Sequence, residues 1–105
     1  MEYRIYQVDF LDDDTLPDFV FRDYEEALKL HPNFNEVFKF YKQVYNDTID
    51  SEYGNNKNHV LEELFRIFNC EIPDNYRGRS LSVSDIVFLD GSYYYCNSDG
   101  WEEIR

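Results

Sequence analysis

Cysteine, proline and glycine are scarce in this chain: two, three and four residues among 105. Cys70 and Cys96 form no CxxC pair and have no histidine at ligand spacing, which argues against a zinc site. They can form one bridge or stand as free buried thiols, and a reducing cytoplasm favours the second. So few glycines and prolines leave no room for a long flexible linker. Positive charge is the other shortage. Ten lysines and arginines face 22 acids, a formal net charge of −12. Such a chain repels phosphate, so direct binding to nucleic acid is not expected. The opening MEYRIYQVDF has no basic region followed by an apolar stretch. It predicts neither a signal peptide nor a membrane span, hence a cytoplasmic protein with no membrane partner. The sequon Asn46–Asp47–Thr48 is then a chance match.

What is present suits one domain. Hydrophobic residues make up 43%, enough for a core, and ten tyrosines with nine phenylalanines make that core aromatic. Many hydroxyls must then find partners at its rim.

Tyr3 to Phe10 alternates, with Tyr3, Ile5, Gln7 and Asp9 on one face and Arg4, Tyr6, Val8 and Phe10 on the other, which predicts a strand. LDDDTLPD reads as an acidic loop, and FVF (Phe19–Phe21) as a short second strand. Asp23 is placed to cap a helix over YEEALKLH that Pro32 ends. The aromatics at 34, 38, 40, 41 and 45 mix two periods. They fit a helix over 34–39 followed by a strand over 40–45, or one continuous helix. After the polar stretch 50–56, Asn56 or Asn58 caps a helix in which Val60, Leu61, Leu64, Phe65 and Phe68 share a face; it ends near Asn69. Residues 71–80 are irregular. Ile86–Leu89, a tight turn at Asp90–Gly91, Ser92–Cys96, a second turn at Asp99–Gly100 and Trp101–Ile104 make a β-meander. The fold class is α+β: a small antiparallel sheet with a C-terminal meander, packed by one to three helices, as a single acidic domain over 1–105.

Catalytic patterns are missing. The chain holds no GxSxG, P-loop or HExxH motif, and its histidines, His31 and His59, fall at helix ends. Asp12–Asp13–Asp14 lacks the glycine and bidentate glutamate of a calcium loop, and Asp47, Asp50 and Glu52 fail the same test. No enzyme activity, metal or cofactor is expected. Arg77–Gly78–Arg79 could cradle an anion, but its preferred role is to pair with acids and tie its loop to the sheet. In Tyr93–Tyr94–Tyr95 the middle ring points opposite to its neighbours; one face packs the helix and the other is a candidate exposed protein-binding row.

LEELFRIFN (Leu61–Asn69), IPDNYRGRSLSVSDIV (Ile72–Val87) and YYYCNSDGWEEI (Tyr93–Ile104), with Val44–Tyr45, resemble the YodL-like domain over about residues 41–104. Here Trp101 replaces a usual phenylalanine, and Asn97 stands where an acid is common. The resemblance implies a setting, the mobile elements of Gram-positive bacteria, and brings no catalytic residues. Read on their own, Ser82, Ser84 and Asp85 bond nearby amides and set the chain's approach to the hairpin.

Small acidic proteins of mobile elements are often antirestriction or anti-CRISPR proteins, including those carried by phage. A carboxylate array that mimics DNA competes for a basic groove and associates fast. The expected function is therefore inhibition of a host defence nuclease. The candidate partner-binding acids are Asp12, Asp13, Asp14, Asp18, Asp23, Glu25 and Glu26. The alternative is an interaction module using Tyr93, Tyr94 and Tyr95.

Overall fold

The computed structural model describes residues 1–8, 17–50 and 56–104. Strands β1 (Glu2–Val8), β2 (Tyr41–Thr48), β3 (Ile86–Leu89), β4 (Ser92–Asn97) and β5 (Gly100–Glu103) form one antiparallel sheet in the order β2-β1-β3-β4-β5. Helix α1 (Tyr24–Leu30), a 3₁₀ helix (Phe34–Phe40) and helix α2 (Lys57–Cys70) complete an α+β domain.

Alternation along the strands feeds two separate cores. On one face Tyr3, Ile5, Val87, Leu89 and Tyr94 pack against Val60, Leu61, Leu64 and Phe68 of α2. On the other, Val8, Ile86 and Tyr95 pack against Phe19, Ala27, Phe34 and Val37. Both faces are thus covered, which is why β3 reads as the unbroken apolar run IVFL. The α2 stripe falls where the 3.6-residue period places it. Asn56 caps this helix, its side chain accepting a hydrogen bond from the His59 N–H at 3.3 Å.

Several expectations need correction. FVF is not a strand. Val20 N–H bonds Pro17 O and Arg22 N–H bonds Phe19 O, so the segment is a pair of turns that leads into α1. Phe19 is fully buried there, while Phe21 sits at φ 65° and is 56% exposed. Residues 34–45 follow the two-element alternative. Phe34, Val37 and Phe40 recur every three residues, the period of a 3₁₀ helix, and the first two are buried. Tyr41 then opens an eight-residue strand. Asp90–Gly91 forms the expected hairpin turn, with φ of 48° and 96°. In the second hairpin Asn97 pairs with Gly100, so Ser98 and Asp99 make the turn and Gly100, at φ 141°, begins β5.

Candidate interaction surface

The motif Y-x-G-R-S-L-S-V-S-D folds back on one buried side chain, Gln7. Gln7 Nε2 donates to Arg79 O at 2.9 Å and to Asp85 Oδ2 at 3.0 Å, and its Oε1 accepts from the Arg79 N–H at 2.9 Å. The Ser82 N–H donates to Asp85 Oδ2 at 2.9 Å. Burial pushes the Asp85 carboxyl up to about 6, against the hydrogen bonds and the Arg79 charge that favour its ionised form. The Ser84 hydroxyl accepts from the Phe21 N–H at 3.0 Å, and Tyr41 Oη donates to Ser84 O at 2.6 Å. Tyr76 Oη donates to Arg79 O at 2.6 Å. The Arg79 side chain reaches Val8 O at 3.3 Å and Asp85 at 3.8 Å, and Arg77 holds Asp74 O at 2.9 Å. Arg79 thus pairs with an acid and ties the loop to β1, as the preferred reading holds, whereas Arg77 bonds only carbonyls of its own loop, Asp74 O and Tyr76 O, and pairs with no acid among the described residues.

Nothing in this arrangement gathers a nucleophile and a base on an open surface. Asp85 is 2% exposed. His31 ends α1 and contacts Asp18 Oδ1 at 2.7 Å, whereas His59 lies in the first turn of α2, across the sheet. Among the described residues no group of three acids, histidines or cysteines could hold a metal ion. Cys70 and Cys96 are both free, the first exposed and the second buried.

The tyrosine row requires a correction. Tyr94 is 8% exposed and Tyr95 not at all. Tyr95 Oη donates to Arg22 O at 2.6 Å. Tyr93 is half-buried among Tyr6, Phe38 and Phe88, with ring centroids 5.1–5.9 Å away. The row is enclosed because both faces of the sheet carry helices, one of them the 3₁₀ helix that the sequence left undecided.

Of the candidate acids, Asp12, Asp13 and Asp14 lie outside the described residues. Asp18, Glu25 and Glu26 are exposed around α1. Arg22 pairs with Glu26 at 3.0 Å and also holds Asp18 O at 2.8 Å. Asp23 occupies the N-cap position of α1, but its carboxylate does not cap it. It accepts instead from the Ser98 N–H at 2.7 Å and the Ser98 hydroxyl at 2.9 Å. The first free amide of α1, Tyr24 N–H, is satisfied by Asn97 Oδ1 at 2.8 Å. The β4–β5 turn therefore caps α1 from a distance of more than seventy residues.

This junction brings acids to one end of the sheet that sequence spacing did not connect. Glu62 of α2 and Asp99 of the turn line a cleft with Phe65, Cys96 and Trp101. Glu102 and Glu103 are exposed on the edge strand β5. Glu62 reads in sequence as the wet face of a helix and Asp99 as a turn residue; only the pairing of β4 with β5 and the packing of α2 join them. No helix among the described residues is long and apolar enough to cross a membrane.

The YodL-like domain model matches residues 2–105. It takes in β1, and also α1 and the 3₁₀ helix, which the motif resemblance did not cover. No curated protein and no solved structure matches the chain. The match spans almost all of the sequence, and the chain belongs to the YodL-like domain family.

Proposed function

We propose that this domain is a non-catalytic inhibitor that lays an acidic surface on a basic, nucleic-acid-binding partner. The partner class is a host defence enzyme such as a CRISPR effector nuclease, whose groove the domain occludes as a DNA mimic. The observation that carries this reading is the junction of Asp23 with Ser98 and of Tyr24 with Asn97. It fixes the acidic start of α1, with Glu25 and Glu26, against the turn that bears Asp99. Acids held by such a frame lose little freedom on binding, which favours affinity as well as fast association. The net charge of −12 supplies the long-range attraction. The choice of a defence enzyme rests on the mobile-element setting that the family resemblance implies. The alternative interaction row at Tyr93, Tyr94 and Tyr95 has little surface to offer, since two of its three rings are buried.

The test is direct binding to purified CRISPR effector nucleases at rising salt, with and without target DNA. Binding should weaken steeply with salt, compete with DNA and suppress cleavage. Neutralising Asp23, Glu25 and Glu26 together, or Asp12, Asp13 and Asp14 together, should weaken it further. A complex indifferent to salt, to DNA and to both sets of changes would sink the electrostatic reading.

A further inference from the structure

A cleft opens between α2 and the β4–β5 turn. Its lining combines two aromatic side chains, Phe65 and Trp101, with two carboxylates, Glu62 and Asp99, and includes no lysine or arginine. Phe65 and Trp101 are half-buried and line the cleft. Glu62 has an arginine four residues further along α2, the spacing at which helical ion pairs form. Yet Arg66 turns the other way, to Glu63 and to Glu71 at 2.9 Å. Among the described residues neither the Glu62 nor the Asp99 carboxylate has a hydrogen bond or a cation. Cys96 adds no charge to the cleft, because burial, then Asp85, then Glu62 raise its thiol to about 12.

We propose that this cleft seats an arginine side chain of the basic partner, with Trp101 and Phe65 against the guanidinium and Glu62 and Asp99 pairing its charge. A planar, weakly hydrated guanidinium can stack on a ring and bond carboxylates at its rim at the same time, which an ammonium does less well. A neutral side chain would leave the two carboxylates unpaired, and an acidic one would be repelled. The inference rests on the proposed basic partner and names its anchor.

Trp101 is the protein's single tryptophan and so reports on the cleft. The probe is acetyl-Gly-Arg-Gly-amide, titrated against Trp101 emission, beside the citrulline peptide, which keeps the shape of arginine without its charge. The arginine peptide should give a saturable change. The citrulline peptide should bind about tenfold more weakly, and so should the arginine peptide with the Glu62→Gln/Asp99→Asn protein. Equal responses to the two peptides, no saturable response to arginine, or an unaffected double variant would each overturn the proposal. The double variant, assayed for nuclease binding, separates the two readings. Full nuclease binding without an arginine response sinks the cleft and leaves the function standing. In the wild type, a saturable arginine response with no nuclease binding does the reverse.

Discussion

The Asp23 carboxylate accepts two hydrogen bonds from Ser98, at 2.7 Å from the backbone N–H and 2.9 Å from the hydroxyl. Asp23→Ala should cost about 1 kcal/mol, and Asn97→Ala, which strands the Tyr24 amide, a similar amount. Because both act at one junction, the double variant should lose less than the sum. Urea denaturation of the three proteins checks this; simple additivity would mean that the two contacts are independent.

Gly78 is required by space. A Cβ there would stand 2.5 Å from Tyr76 Oη and 2.7 Å from Gln7 Oε1. Tyr76 and Gln7 both bond Arg79, so neither can withdraw freely. Gly78→Ala should destabilise by about 1–3 kcal/mol. Tyr76→Phe in the same chain should rescue it only in part, because the ring carbon at 2.7 Å remains. A neutral Gly78→Ala in thermal unfolding would contradict the packing.

Asp85 should make stability fall as pH rises. Its folded value near 6 lies above the ordinary 3.8, so between these values the unfolded chain has released a proton that the folded chain still holds. Ionisation then favours unfolding, by up to about 3 kcal/mol for a two-unit difference. The contribution is complete below pH 4 and gone above pH 6. Subtracting the urea-derived stability of Asp85→Asn from that of the wild type, across pH 3.5–7.5, isolates it from the repulsion of the other acids. A flat difference would refute the shift.

The two thiols should react in two stages. Cys70 is exposed and Cys96 is 2% exposed with its thiol raised to about 12. Under native conditions a disulfide reagent should label one thiol per chain within minutes and the second only at the rate of unfolding. Rapid labelling of both, or of neither, would contradict the structure.

The features legible in the sequence were those set by local chemistry. The α2 stripe, the Asp90–Gly91 turn and the opposite direction of Tyr94 follow from period and backbone preference. So does the structural role of Ser82, Ser84 and Asp85. The second core was harder to see, because α1 and the 3₁₀ helix are seven residues each and too short to show a full stripe. Two errors follow from that gap. Alternation alone gives Tyr93–Tyr95 an open face, which the 3₁₀ helix and α1 cover. Asp23 reads as a local cap, whereas its partner lies 75 residues away. The cleft was hidden for the same reason, since Glu62 and Trp101 meet only through tertiary packing.

The strand order has a consequence for the chain as it is made. β1 is synthesised first but ends in the middle of the sheet, between β2 and β3. Its pairing of Tyr3 with Leu89 waits until β3 has left the ribosome. Until then β1 and β2 can form only a two-stranded ribbon with an open, apolar side, a species prone to pair with neighbours. The late-arriving segment Gly78–Leu89 thus closes the sheet. A nascent chain stalled before it should stay sensitive to protease, and one released with it should become resistant in a single step.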